Sequence, residues 1–551
     1  SEVMRKNILT YILSLVVLLT TASCDSFLEE KNYSSVTDET FLTNESAFEE
    51  LVVSAYSSMR NVARFNTIHM MGTDIFTRNA KIEGDLPLND YTNLTSTDGT
   101  VDATWSTMYT NIAECNSIIS RAETIDGLSE STKSLRVAEV KTIRAWYYFF
   151  LVQQFGGVPL VENEISTIST DFTRNTEEEV YAFLISELEG SIAALPLTSD
   201  EFGRVTKGVA KHLLAQVYLT RAYTSFAAST DFSKAASLAE EVINSGVYRL
   251  LDNFSDVMDY SNQVNDEVIF SIQFTTDYQY NTIVNDGGDG NNRHQLCKFG
   301  YDAYPGLTRT SSYGKPLNTL MPTDFFYHLY ADADAREDAT IRRALLANAA
   351  DSYNGWDIAV GDTVIYFPKN DWTSTQKASV NYWVFNLSDR FETSEITSTQ
   401  FPFFRKFDDP NAPFSDAGEG TRDAFIFRLS ETYLIAAEAY LNDGNPTKAA
   451  EMLNVVRTRA AKDGQEATMQ IAVADVNIDL ILDEYARELA GETFRWFELK
   501  RTGKLSERVV ANNPHVALHN TSIDSHYLLR PIPNSEILLT NGSLEQNPGY
   551  N

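Results

Sequence analysis

The chain has 551 residues, a formal net charge of −32, and 31 Phe, 27 Tyr and 6 Trp. That charge excludes nucleic acid as a partner, because phosphate binding runs on clustered Lys and Arg. The length allows a large core, and apolar residues recur too regularly for a disordered chain.

The first segment reads as an address. Arg5 and Lys6 precede an apolar run from Ile8 to Leu19, and Thr21-Ala22-Ser23-Cys24 follows. The run is too short to span a bilayer, so residues 1–23 are expected to be a lipoprotein signal peptide, with the lipid on Cys24. Cys115 and Cys297 remain, too few for a disulfide scaffold or a zinc site. Neither metal nor cofactor is expected.

In chain order, the spacing predicts a first amphipathic helix over 43–60, capped by Asn44 or Ser46, with Phe48, Leu51, Val52, Ala55, Tyr56 and Met59 on one face. Residues 61–104 lose that period and carry Gly72, Gly84, Pro87 and Gly99, so a ligand-facing loop is expected there. Helices are predicted over 103–124 and 131–155. The second is apolar nearly all round (Val140, Ile143, Trp146, Tyr147, Phe149, Phe150) and must be enclosed by other helices. Gly156-Gly157 and Pro159 stop it. Further helices are predicted over 177–195, 206–223 and 233–245.

Two passages, 207–246 and 428–460, then match each other: a helix with Ala-x-x-Tyr-Leu, a turn, Lys-Ala-Ala and a second apolar-faced helix. Such a unit, at a period of about 34 residues, is the mark of tetratricopeptide-like repeats. The predicted fold class is therefore mainly α: a tetratricopeptide-like helical repeat scaffold with an irregular loop-and-short-strand insertion. The division is 24–246 for N-terminal helical repeats, 247–421 for the insertion as a binding lobe, and 422–551 for C-terminal helical repeats and an extended tail. Within the insertion, strands are expected over 267–274 and 363–367.

Trp105, Trp146 and Trp496 sit in helical patterns and are expected in the core, and Trp383 in a buried strand over 382–385. Trp356 and Trp372 follow Asn-Gly and Asn-Asp; they can serve as platforms or as packing. The turn from Asp286 through Asp289 to Asn292 lacks the distal Glu of a calcium loop and reads as solvated. Glu484, Glu488 and Glu492 recur every four residues, interleaved with Arg487 and Arg495. That spacing makes ion pairs, not two carboxyls facing across a sugar, and no metal, phosphate-loop or serine-hydrolase motif appears, so an enzyme is not expected.

Five pieces carry a family resemblance: Arg144-Ala145 with Phe155-Gly156-Gly157-Val158-Pro159, the repeat at 207–219, residues 428–439, the expected helix 484–501, and Pro531-Ile532-Pro533 with Gln546-Asn547-Pro548-Gly549-Tyr550. In this order they resemble the SusD/RagB outer-membrane glycan-binding lipoproteins. The resemblance implies four tetratricopeptide-like units carrying a ligand lobe, display on the outer membrane facing the cell exterior, and a SusC-like TonB-dependent transporter as partner. It implies a glycan ligand held by aromatic rings on polar loops, since sugar C–H faces bury well against flat rings. Carried onto this chain, the platform falls on Tyr313, then Tyr301 and Tyr304, with a Tyr where a Trp is known. The early loop adds Asp74, Arg78 and Tyr91, and Asp25, Glu29 and Glu30 resemble the family's export signal. The alternative is a repeat scaffold that binds peptide or other non-glycan cargo for the same kind of transporter.

Overall fold

The computed structural model describes residues 44–63, 67–79, 86–125, 127–167, 169–277, 288, 290–391, 400–413 and 415–550. The signal segment, Cys24, Asp25, Glu29, Glu30, Asp286 and Asp289 lie outside the described residues.

Helix α1 spans Glu45–Ala63, and the Asn44 side chain caps it by accepting from the Ala47 amide at 3.1 Å. It packs against α2 (Gly99–Arg121) and α3 (Glu130–Phe155). Asp98 caps α2 through the Thr100 and Val101 amides, and Ser129 caps α3. From Ala138 to Phe155 every residue of α3 except Lys141 is buried, as its all-round apolar surface requires. Gly156 ends it at φ 72°, a left-handed conformation that glycine adopts without strain.

The repeat continues through α4 (Glu177–Ala194), α5 (Lys207–Arg221), α6 (Asp231–Ile243), α7 (Leu429–Asn442), α8 (Pro446–Arg459) and α9 (Ile478–Leu489). Thr176 and Glu179 form a reciprocal capping box on α4, and Asn445 with Pro446 opens α8. From α2 to α8 each helix packs on the next, α9 packs on α7, and α6 lies directly on α7 although the insertion separates them in sequence. Small residues permit that approach: Ala235, Ala236 and Ala239 on α6, Ala436 and Ala439 on α7, all buried.

The insertion thus leaves the stack at one repeat and returns to the same place. Its two ends are tied by strands β2 (Val268–Ile272) and β11 (Ala424–Arg428), paired antiparallel with a register irregularity at Phe427. Beyond that clamp the lobe has its own core, from Phe299, Tyr301, Phe326, Tyr327, Val364, Ile365, Phe401 and Phe403, closed against Ala486 and Ala490 of the frame.

The early segment differs from expectation. It forms the short helices Thr67–Met70 and Leu86–Asp90 and strand β1 (Phe76–Arg78), which pairs with β3 (Leu320–Pro322). Met70, Met71, Ile75 and Phe76 belong to the lobe core, so much of the expected loop is buried. The stretch 484–501 is also not one helix. It breaks after α9 and resumes as α10 (Arg495–Arg501), because Gly491 has φ 76° and a Cβ there would meet the Phe407 ring at 2.8 Å. The tail includes the short helix Asn534–Leu539. It also sews the end of α3: Asn547 Nδ2 donates to the Phe155 carbonyl at 2.9 Å and to the Arg530 carbonyl at 2.7 Å.

Candidate functional site

The lobe carries a set of aromatic rings on its surface. Strands β6 (Asp351–Tyr353) and β7 (Trp356–Ile358) form a hairpin in register Tyr353 with Trp356. Its two turn residues, Asn354 and Gly355, have φ of 48° and 83°. Two positive φ angles define the tight turn that Asn-Gly favours, and its twist sets the flanking residues side by side. Both are aromatic here. Tyr353 is 43% exposed, and Trp356 is half-buried.

Trp383 joins them. It lies in β9 (Trp383–Val384), which pairs parallel with β8 (Thr363–Tyr366), and β8 pairs antiparallel with β5 (Ala344–Leu346). The Trp383 ring centre is 5.0 Å from Tyr353, 6.0 Å from Trp356 and 5.2 Å from Tyr304. Trp383 is half-buried, not enclosed as expected, because the β5–β8–β9 sheet ends at its strand and leaves it at the edge. Neither Tyr353 nor Trp383 stands out as a site residue in sequence. The signal for Tyr353 is the Tyr-Asn-Gly-Trp hairpin; for Trp383 there is only the sheet.

The structure sorts the other expected residues by access. Tyr304 belongs to the patch. Trp372 is half-buried on Tyr366, 5.4 Å between ring centres, with its backbone held at both ends by the Asn386 amide. Tyr313 is half-buried; its hydroxyl is fixed by the Leu346 amide and carbonyl, and the Arg342 guanidinium sits 4.8 Å above its ring. Tyr301 is fully buried and donates to the Gly314 carbonyl at 2.7 Å, so it supports Tyr313 and offers no face to a ligand.

Asp74 and Tyr91 of the early loop are structural. Asp74 is fully buried, holding both Arg495 nitrogens at 2.8 Å and Arg508 at 2.9 Å. Burial alone would raise its pKa, but the two guanidinium groups outweigh it and hold the carboxyl below the usual range. Tyr91 is buried, with its hydroxyl on the Gly72 carbonyl at 2.6 Å. Arg78 is half-buried and pairs with Asp90 at 3.2 Å. Asp74 and Tyr91 are therefore removed from the ligand set: no water or sugar reaches them.

The glutamate row is buried as well. Glu484 meets Arg336, Arg457 and Arg487; Glu488 meets Arg336, Arg428 and Arg459; Glu492 meets Arg428 and Lys406. Only Arg487 is a same-helix partner, and Arg495 turns to Asp74 and Glu498. Burial pushes the Glu484 and Glu488 carboxyls up, but the surrounding arginines hold both far below the carboxylate range. Locked anions without access cannot act as general acids.

The helical frame has concavities of its own. A cleft of about 830 Å³ runs between Arg60, Glu201, Arg204 and Gln273, but Arg204 is spent on Glu49, Glu139 and Glu201, and the Tyr56 hydroxyl on Glu139. A smaller apolar pocket of about 220 Å³ is lined by Trp105, Tyr109, Phe172 and Leu544. Neither contains an expected site residue. Among the described residues no cluster of His, Cys, Asp and Glu could hold a metal ion, and no helix is long and apolar enough to cross a membrane.

The described residues thus form a helical-repeat frame with an aromatic-surfaced lobe spliced into it. The chain belongs to the SusD family: that family's model matches residues 254–550, and a second one, described as starch-binding associating with outer membrane, matches 26–219. A SusD-like protein of Formosa agariphila is 26% identical over 574 residues, covering 99% of both chains. The starch-binding protein SusD of Bacteroides thetaiotaomicron is 24% identical over 77% of this chain and 74% of its own. Among solved structures, surface glycan-binding protein A from Bacteroides thetaiotaomicron, in complex with laminarihexaose, superposes with a TM-score of 0.70 at 21% identity. That match covers 92% of this chain and 100% of the other. A laminarin-binding SusD-like protein gives the same TM-score of 0.70 at 23% identity. These likenesses agree with the mainly helical, tetratricopeptide-like architecture.

Proposed function

We propose that this chain captures oligo- or polysaccharide at the cell surface and passes it, uncleaved, to a SusC-like TonB-dependent outer-membrane transporter. The observation that carries the reading is the patch of Tyr304, Tyr353, Trp356 and Trp383, four rings gathered at the lobe surface: Tyr304, Trp356 and Trp383 pack on the lobe core yet stay half-exposed, and Tyr353 is exposed. An aromatic patch left half-exposed is a binding surface for apolar faces, and sugar rings supply such faces with hydroxyls at their edges. Tyr313, Trp372 and Arg78, each half-buried, are proposed as further contacts. Family membership, the outer-membrane description of the second family model and the names of the relatives support the glycan and the location. Anchoring through a lipid on Cys24 belongs to the same reading. Catalysis does not, because the glutamates of 484–492 are consumed in buried ion pairs.

The test is affinity electrophoresis of the mature chain through gels containing plant, algal, fungal or host polysaccharides, with product size followed in parallel. Retardation on at least one polysaccharide without chain shortening is expected, and Trp383→Ala should abolish it. Shortened product would overturn the reading. Retention of peptides in place of any glycan would move the function to the other kind of cargo.

A further inference from the structure

The charge around the patch is one-sided. Residues 344–368, which carry the hairpin and β8, contain Asp351, Asp357 and Asp362 and neither Lys nor Arg. Asp351 accepts from the Ser352 and Gly306 amides, which hold its carboxyl below the usual range. Asp357 and, next to Trp372, Asp371 are exposed, with no cation at ion-pair distance among the described residues. The neighbouring cations are already committed. Lys369 pairs with Asp332 at 2.9 Å and Glu337 at 2.8 Å, Lys377 with Asp389 at 2.6 Å, and Arg309 with Asp302 at 2.7 Å and with Asp416. Arg342 covers Tyr313 and pairs with Asp408 at 2.7 Å. Arg405 is exposed, but it follows Phe403 and Phe404 on their ladder with Ile341 and Arg342, outside the segments that carry the patch.

The rings are also not coplanar. Tyr353, Trp356 and Tyr304 are inclined at 50°, 55° and 77° to Trp383. A flat ribbon lying on a sheet of sugar would touch one ring at a time; a chain that bends can follow all four.

Resting on the glycan reading above, we infer that the patch takes an uncharged, bending glycan chain and rejects sulfated and uronate chains. A sulfate or carboxylate on a sugar is recognised by free guanidinium or ammonium groups, and among the described residues the segments that carry the patch offer none. Here it meets several fixed carboxylates, whose combined repulsion across about 8 Å of water is worth about tenfold in affinity. The net charge of −32 adds a long-range barrier to encounter, and salt screens both effects.

The experiment uses the purified chain with soluble neutral polysaccharides, partially sulfated and carboxymethylated derivatives of the same polymers, natural uronate polymers and crystalline cellulose. Binding is measured at about 0.02 M and about 0.5 M NaCl, on either side of strong screening. A retained neutral chain should change affinity by less than about twofold between the two salts. Its charged derivatives should bind at least about tenfold more weakly at low salt and recover in part at high salt. Asp357→Asn with Asp371→Asn should narrow that gap without changing the neutral affinity. Equal or tighter binding of a charged derivative, or retention on crystalline cellulose, would overturn the inference and leave the glycan reading standing. Failure to retain any polysaccharide, charged or neutral, would overturn both.

Discussion

Tyr353 and Tyr301 show how the same residue type takes opposite roles by placement. Tyr353 is exposed at a hairpin end, so Tyr353→Ala should weaken glycan binding about tenfold, as loss of an aromatic anchor does, and leave the melting temperature nearly unchanged. Tyr301 is buried under Tyr313, and Tyr301→Ala should cost about 3–5 kcal/mol of stability by the cavity it leaves. Calorimetry and binding on the same two variants check both; a reversed pattern would put the platform on Tyr301 after all. His515 gives a pH signature. Burial first, then the nearby Arg78 charge, push its imidazole down to about 3, and Thr77 holds its Nδ1 at 2.9 Å. The folded ring stays neutral where the unfolded one, titrating near about 6.5, takes a proton. Its stability contribution is therefore complete above about pH 6.5 and is lost as pH falls towards about 3. The melting temperature should drop between about pH 6.5 and 5, and less steeply in His515→Gln; identical slopes would contradict the assignment.

At the scale of elements, the helical frame was legible and the patch was not. The frame follows from local signals: caps at Asn44, Asp98, Thr176 and Asn445, the Ala-x-x-Tyr-Leu helices, and the stop at Gly156. Each acts within a few residues, so the sequence carries it openly. The patch depends on Tyr353 and Trp356 meeting Trp383 and Tyr304, residues far apart in the chain that lie on separate elements and meet only through tertiary packing. The burial of Asp74 was hidden for the same reason, since Arg495 and Arg508 reach it from the other end of the protein. The break at Gly491 was hidden by a ring from the lobe. Gly491→Ala should cost about 1–3 kcal/mol by strain and overpacking, measured by denaturant unfolding; a neutral effect would mean that the Phe407 ring yields freely. Replacing Asn354 and Gly355 together by alanine should unseat the hairpin and reduce glycan affinity at a small cost in global stability, because of residues 351–357 only Trp356 packs on the lobe core and the rest are exposed.

Across the whole molecule, one ion network couples frame to lobe. Glu484 and Glu488 of α9 take Arg457 and Arg459 from α8, and they reach Arg336 in the lobe, while Glu492 takes Lys406. Removing one charge strands the others in a buried site, so Glu488→Gln should cost about 3–5 kcal/mol. The network fixes the lobe on its scaffold, and the scaffold needs no chemistry of its own to present the rings. The most direct test of this account is a crystal structure of the chain with whichever oligosaccharide it retains. Sugar rings are expected within about 4 Å of Trp383 and Tyr353, with all glycosidic bonds intact. A sugar seated instead in the cleft beside Arg60 and Arg204, with the lobe patch bare, would contradict it.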